Sequence, residues 1–237
     1  MFRRILLTAA FAGSIAGLVV SLAQRAEVIP LIQLAETYEE AASQQAAASP
    51  HAGAHVPAGV YGANEPAPAE WEPADGLERT LYTVVANMVS GVGFALVLVA
   101  GFAFAGGHPD WRRGLVWGLG GFAAFALAPA LGLPPAPPGA AEADLVLRQL
   151  WWSGTVAGTV LGLSLAVFAR RLPHKLAGLL LLALPHLVGA PASEGTSAVP
   201  PSLAFDFALA SLATALVFWL VLGGLAAHFF GRFAHES

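Results

Sequence analysis

The sequence contains no cysteine and very few charged residues. Among 237 residues there is no Cys and there are only two Met. Disulfides, zinc–thiolate sites, iron–sulfur clusters and thiol catalysis are therefore excluded, and a copper(I) pathway through sulfur ligands is disfavoured. Charged residues make up 11% of the chain and hydrophobic residues 57%, whereas a typical soluble domain carries about 25% charged residues. This composition predicts an integral membrane protein.

Signatures of common enzymes are also missing. The chain has no GxxxxGK[ST] phosphate loop, and it has no HExxH, no GxSxG and no dinucleotide-binding fingerprint. With eleven Lys and Arg against fifteen Asp and Glu, it lacks the basic character of nucleic-acid-binding proteins. We expect neither an enzyme nor a nucleic-acid partner. A lipid-modifying enzyme using His and carboxylate as acid and base is a further alternative, without a recognisable nucleophile.

Long apolar runs predict the fold. A helix that crosses the hydrocarbon core needs about 20 mostly apolar residues, and five runs approach or exceed that length: 5–23, 81–105, 114–133, 151–169 and 203–230. A sixth run, 176–190, becomes long enough if its helix begins at Leu172 and Lys175 extends to the interface. We predict a single all-α membrane domain over residues 1–237. It is a bundle of six transmembrane helices, alternatively five, with one long outer loop at about 36–80.

The positions of the basic residues predict the orientation. In the six-helix bundle, eight of the eleven Lys and Arg fall on one side, and only Arg25, Arg79 and Arg148 fall on the other. The positive-inside rule places the basic side in the cytoplasm, together with both termini, in the inner (plasma) membrane. The eight are Arg3, Arg4, Arg112, Arg113, Arg170, Arg171, Lys175 and Arg232.

The first apolar run has two interpretations. Arg3 and Arg4 precede it, and residues 21–23 resemble the cleavage site of a secretory signal peptide. The hydrophobic region of such a signal is only about 7–15 residues long, however, and apolar character resumes at 28–34. We expect the segment to be retained as the first transmembrane helix, with Pro30 interrupting its continuation.

The long outer loop is acidic. Residues 36–80 contain eight Asp and Glu and one Arg, a net charge of −7, and Pro, Gly and Ala in its middle predict mostly irregular backbone. Glu36, Glu39 and Glu40 are spaced to share one helix face, where like charges repel. A metal ion or a basic partner would relieve that repulsion; a solvated face is the alternative.

Candidate metal ligands fall in the predicted outer half of the membrane and in this loop. Polar groups within a membrane are costly and are functional candidates by default. Imidazole and carboxylate without sulfur suit cobalt, nickel, zinc, manganese or iron(II). The candidate ligands are His186, Asp206, Glu36, Glu39, His51 and His55, and Asn87 is a candidate for the transport path.

Each of these candidates also has a structural interpretation. Asp206 can cap the last helix, His186 can satisfy a carbonyl freed by Pro185, and Asn87 can form a hydrogen bond between helices. His51 and His55 are four residues apart, but nearby prolines argue against a helix there and favour an unselected loop.

Two further features of the sequence concern the cytoplasmic side and helix packing. His108 lies in a predicted cytoplasmic turn and could receive an exiting ion, whereas Pro109 and Asp110 suit the start of the third helix. Glycines four residues apart predict close contacts between helices; they are Gly13 and Gly17, Gly114 and Gly118, and Gly154, Gly158 and Gly162.

Six blocks of the sequence resemble a known family. They are MFRRILLTAAFAGSIAGLV, VIPLIQLAETYE, NMVSGVGFALVLVAG, HPDWRRGLVWGLGGFAAFALAPALGLPP, RQLWWSGTVAGTVLGL and LLALPHLVGAP. In this order they resemble the CbtA family of probable cobalt transporter subunits. The resemblance implies Co²⁺ uptake for cobalamin synthesis and a small single-span, histidine-bearing partner subunit, CbtB. It supplies no ligand set; the family-like positions are Glu36, Tyr38, Glu39, His108, Pro185 and His186.

These observations lead to one functional hypothesis and one rival. We expect a membrane subunit that moves Co²⁺, or a similar divalent ion, from the acidic side into the cytoplasm, with no permanently bound cofactor. The rival is a non-transporting scaffold in the lipid bilayer that assembles with another subunit through its glycines.

Overall fold

The computed structural model describes residues 1–48, 73–74, 76–106 and 110–234. Within these residues the chain is helical and contains no strand. Five helices are long and apolar enough to cross a membrane, and a sixth apolar helix, α6, is shorter at 17 residues. The prediction of an all-α membrane bundle is confirmed. The helices are α1 (Phe2–Glu27), α2 (Ile29–Ala48), α3 (Leu77–Ala105), α4 (Trp111–Ala130), α5 (Leu145–Phe168), α6 (Leu172–Val188) and α7 (Pro201–Arg232).

Short polar side chains and prolines start several helices. The Asp110 carboxylate accepts a hydrogen bond of 2.8 Å from the Arg113 amide and so caps α4, as its position in the sequence predicted. The Asp144 carboxylate caps α5 in the same way. Helices α6 and α7 carry proline in their first turn, where no backbone donor is needed.

The break predicted at Pro30 is present, but the helix that follows is longer than expected. Only Val28 separates α1 from α2, and α2 continues to Ala48. The loop predicted as mostly irregular over 36–80 therefore begins with helix at 36–48. The reason is composition, since EEAASQQAAA is rich in Ala, Glu and Gln, which favour helix.

Helix α1 lies at the centre of the bundle. Thr8, Ala9, Ala12 and Ala16 are fully buried between α3 and α7. The α1 and α3 backbones touch where a Cβ on Gly17 would lie 2.6 Å from the Cα of Met88. Removing α1 would therefore uncover this core.

Glycines also bring the other helix pairs together. A Cβ on Gly114 or Gly118 of α4 would meet the α7 backbone, and one on Gly162 of α5 would lie 2.7 Å from the Gly178 carbonyl of α6. Gly154, by contrast, has nothing within 4 Å of its Cβ position. The predicted glycine contacts are therefore confirmed except at Gly154.

The bundle has one basic end. The Arg4 side chain, at the start of α1, donates a hydrogen bond of 2.6 Å to the Phe230 carbonyl near the end of α7. Its guanidinium also lies 3.5 Å from the centre of the Phe230 ring. The start of α4 packs on the same part of α7 through Gly114 and Ala227. Arginines at the start of α1, at the start of α4 and at the end of α7 therefore lie at the same end of the bundle. We call it the basic end.

The opposite end is acidic. It contains α2, the starts of α3, α5 and α7, and the connections 131–144 and 189–200, and a small apolar cluster of Ala35, Val199 and Leu203 holds α2 against α7. Eight described carboxylates lie on these segments: Glu36, Glu39, Glu40, Glu78, Glu142, Asp144, Glu194 and Asp206. We call this the acidic end.

Candidate site at the acidic end of the bundle

Glu36 is held by an arginine of the same chain. Arg79 Nη2, at the start of α3, donates to Glu36 Oε1 across 2.8 Å, and the side chains of Arg79 and Glu36 are 46% and 34% exposed. Arg79 of the same chain therefore supplies a positive charge that offsets the repulsion expected among the glutamates of α2. An ion pair this accessible to solvent contributes only about 0–1 kcal/mol.

Glu39 connects α2 to the two loops beside it. Its Cβ packs on Gly139, where a Cβ would lie 3.1 Å away and φ is +74°, a conformation that favours glycine. The Gly139 carbonyl accepts a hydrogen bond of 3.0 Å from the Ala198 amide. Glu39 is nevertheless an exposed residue, and so is Glu40.

The two loops also join each other through backbone and charge. The Glu194 amide donates to the Glu142 carbonyl across 3.2 Å, and Arg148 Nη1 pairs with Glu142 Oε2 at 2.5 Å. Carboxylates from α2 and from both loops are therefore brought to one end of the protein. Such a surface attracts cations.

Asn87 forms a polar contact between α1 and α3. Its Nδ2 donates to Ser21 Oγ at 3.0 Å and to Gln24 Oε1 at 2.7 Å, and Ser21 Oγ donates to the Gly17 carbonyl at 2.8 Å. The structure thus shows the hydrogen bond between helices that was one alternative for Asn87. Sequence reasoning missed Gln24 and treated Ser21 only as part of a cleavage-like site. Their spacing from Gly17, at four and seven residues, was the available signal.

His186 lies exposed in the last turn of α6, against Trp151 of α5. The centres of the two rings are 6.0 Å apart in an edge-to-face arrangement. Trp151 Nε1, and not His186, donates to the Pro185 carbonyl, at 3.3 Å, and that carbonyl also accepts from the Gly189 amide at 3.0 Å. In the described residues Trp151 thus holds this turn, and the His186 imidazole stays accessible.

Asp206 does not cap α7. It is the sixth residue of a helix that begins at Pro201 and has no acidic residue in its first turn, so the capping interpretation is wrong. A cap must lie at the helix start to reach the unpaired amides. Leu203 and Phe207 in this part of the helix are buried, whereas Asp206 itself is exposed.

Among the described residues, no three His, Asp or Glu side chains lie close enough together to hold a metal ion. Glu36 pairs with Arg79 across α2 and α3, His186 contacts α5, and Asp206 lies on the outer side of α7. His51, His55 and His108 lie outside the described residues, as does Pro109. A metal site that includes the two loop histidines therefore stays a prediction.

Comparison with known proteins gives a family assignment. No curated protein and no solved structure matches the chain. A family model described as "Probable cobalt transporter subunit (CbtA)" matches residues 2–231 of the 237, which covers the described helices except the last residue of α7. The chain therefore belongs to the CbtA family of probable cobalt transporter subunits.

Proposed function

We propose that this protein is the membrane subunit of a cobalt uptake transporter and works with a small single-span, histidine-bearing subunit. The observation that carries the proposal is an apolar helical bundle with an acidic end opposite a basic end, in a chain matched almost completely by the CbtA family. The word "subunit" in the family description supports a partner. Co²⁺ is the cargo, and no permanently bound cofactor is required.

The charge distribution supports inward movement. The positive-inside rule puts the basic end and both termini in the cytoplasm of a cell bounded by an inner membrane. The acidic end then faces outward and raises the local concentration of divalent cations. A membrane potential of 100 mV contributes about 2.3 kcal/mol per charge, and so roughly twice that for each Co²⁺ that enters.

The ion is first captured by exposed groups at the acidic end. Glu36 is available when a cation displaces the exposed Arg79, and Glu39 and Glu40 are accessible on α2. His51 and His55 add imidazole ligands from the outer segment, which suit Co²⁺ better than carboxylate alone. His186 and Asp206 then receive the ion near the membrane surface, with Asn87 deeper in the bundle and His108 at the exit.

Radioactive cobalt uptake tests this pathway in cells that lack the gene. Cells given the wild-type gene should accumulate Co²⁺, and His186→Ala and Asp206→Ala should each lower the rate several-fold. His174→Ala is the matched control, since His174 is an exposed histidine at the other end of α6. Uptake that is the same with and without the wild-type gene would reject transport. Uptake unaffected by both substitutions would reject the ligand assignment alone.

A scaffold function is the second candidate, and one observation favours it. The helices meet through backbone contacts at glycine, while the described residues contain no group of three metal ligands. If the chain only assembles a partner, liposomes containing the purified protein and its partner will not admit Co²⁺. Substitution of Gly162 will then lower cobalt uptake by the cells more than substitution of His186.

A further inference from the structure

We propose that the α5–α6 hairpin moves as one rigid unit against the rest of the bundle, with a π-helical turn in α4 as the hinge. The role of this motion in moving the ion rests on the proposed transport function, whereas the motion itself does not. The argument depends on where the helices are tightly held and where they are not.

The first unit is fixed by contacts that leave no room for a side chain. On α4, a Cβ at Gly114 would meet the Gly223 carbonyl, and one at Gly118 would meet the Trp219 carbonyl. One turn later the Trp219 ring covers Gly121. These contacts hold the first half of α4 on α7. Glycines join α1 to α3 in the same way, and α1 also packs on α7. Closely packed backbones of this kind resist sliding and rotation.

The second unit is the hairpin itself. Gly162 and Gly178 pack face to face, since a Cβ on either would lie 2.7 Å from the carbonyl of the other. A Cβ on Gly158 would lie 3.0 Å from the Leu181 carbonyl, and the hydrogen bond from Trp151 to the Pro185 carbonyl closes the outer end. Helices α5 and α6 therefore move together or not at all.

The hinge lies on α4 between the residues held on α7 and the residues that contact α5. After Gly121, residues Ala123–Leu127 form a π-helical turn in which the Ala128 amide donates to the Ala123 carbonyl, five residues back. Pro129 follows and has no amide hydrogen for the Phe125 carbonyl. A π turn next to a proline has fewer regular hydrogen bonds to resist bending, and kinks in helices concentrate at such places.

The described hairpin contacts the rest of the bundle through side chains near this turn and at the basic end, and through the connections 131–144 and 189–200 at the acidic end. Phe125 stacks on Trp219 of the first unit, with ring centres 5.4 Å apart, and lies 6.3 Å from the Trp152 ring of the hairpin. At the basic end the rings of Trp117 and Phe168 are 6.1 Å apart. Of the five spanning helices, α5 also has the smallest buried share of its apolar stretch, 17% against 44% for α1.

Bending at the hinge changes the spacing between Trp117 and Phe168. Trp152 and Phe168 are sixteen residues apart on α5, which is about 24 Å along a helix. A rotation of about 10° around the Phe125 contact therefore moves Phe168 by roughly 4 Å at the basic end. This opens or closes the space between α4 and α5 on the side where a Co²⁺ ion would leave.

A reversible cross-link tests whether transport needs this movement. Because the chain has no cysteine, Trp117→Cys combined with Phe168→Cys gives one defined pair for a short, reducible bifunctional thiol reagent. The control pair joins two helices of the first unit, Phe11→Cys with Phe229→Cys, whose rings are 5.8 Å apart. We expect the 117–168 link to reduce cobalt uptake at least tenfold, a reducing agent to restore it, and the control link to change it less than twofold.

The outcomes separate the two proposals. Full uptake with the 117–168 pair linked would overturn the role of the hinge in transport. Absence of uptake in the wild-type chain would instead contradict the proposed transport function. In that case the hinge is tested by distance measurements on the purified protein.

Spin-label distance measurements on the purified protein provide that second test. One pair reports between the units at the basic end, Val167→Cys with Phe104→Cys, and the control pair Leu6→Cys with Phe104→Cys reports within the first unit; all three residues are exposed. We expect a broad or two-peaked distance distribution for 167–104 and a narrow one for 6–104. Adding Pro129→Ala, which restores an amide donor, should narrow the first distribution. Equally narrow distributions for both pairs would overturn the hinge.

Discussion

Gly162→Ala and Gly154→Ala add the same methyl group to the same helix in two different surroundings. The methyl carbon added at Gly162 would lie 2.7 Å from the Gly178 carbonyl oxygen and 2.8 Å from Leu182 Cγ, whereas the one added at Gly154 would have nothing within 4 Å. Ordinary contact begins near 3.4 Å. The Gly162 variant therefore forces α5 and α6 apart by about 0.7 Å at this point.

The magnitude follows from two opposing terms. Replacing a helix-interior glycine by alanine stabilises the helix by about 1 kcal/mol, and this term is the same at both positions. Overpacking of a close contact costs about 1–3 kcal/mol, because neighbouring atoms separated by 0.5–1 Å lose a quarter to a half of their attraction. We expect Gly162→Ala to be less stable than Gly154→Ala by about 1–3 kcal/mol.

The assay is equilibrium unfolding of the purified protein in mixed detergent micelles, with dodecyl sulfate as the denaturant and circular dichroism as the readout of helix content. Gly154→Ala should unfold at the same sulfate fraction as the wild type or at a higher one, and Gly162→Ala at a lower one. Gly158→Ala, whose added Cβ would lie 3.0 Å from the Leu181 carbonyl, should fall between them. If all three variants unfold together, the glycine contacts do not hold the hairpin and the reasoning fails.

Three other substitutions test contacts elsewhere in the bundle. Asn87→Leu removes the amide that joins α1 to α3 and should lower the free energy of unfolding by about 1 kcal/mol in the same assay. Asp110→Ala removes the cap of α4 and should also cost about 1 kcal/mol. Trp151→Phe keeps an aromatic ring but loses the hydrogen bond to the Pro185 carbonyl, so amide hydrogen exchange at the end of α6 should accelerate about fivefold.

Matched variants identify the cause in each case. Ser90→Ala, at an exposed position of α3, should leave unfolding unchanged, and stability equal to it in Asn87→Leu would contradict the first prediction. Asp110→Asn retains a capping acceptor and should behave as wild type; a loss equal to that of the alanine variant would show that capping is not the cause. Trp152→Phe controls for the neighbouring indole, and equal exchange in both tryptophan variants would exclude the Trp151 hydrogen bond.

The fold class followed from the sequence because lipid constrains the chain strongly. In the hydrocarbon core every backbone group must be paired within the chain, so long apolar runs become helices. The start of α6 at Leu172 and the break before Pro30 were both predicted and both are present. The helix at 36–48 begins the segment predicted as mostly irregular, because helix-forming residues precede its Pro- and Gly-rich middle.

The candidate site was less predictable, because its contacts join residues far apart in the chain. Arg79 and Glu36 were both identified as charged residues of the outer side, but their pairing depends on how α2 folds back on α3. Spacing within one helix predicted which glutamates share a face, and it contained no information about the partner. The roles of Ser21, Gln24 and Trp151 were missed for the same reason.

The sequence by itself determined that this protein is a helical membrane protein of the CbtA type, with acidic residues collected on one side and basic residues on the other. These properties depend on the composition and on the order of residues along the chain. The lipid bilayer acts directly on the apolar residues, and the membrane potential acts directly on the charged ones. Only the tertiary structure decided which glycines touch another helix, that Gly154 touches none, and that a π-helical turn interrupts α4 between two tightly packed units. Those properties depend on distances between separate helices, and the packing of all the helices together sets them.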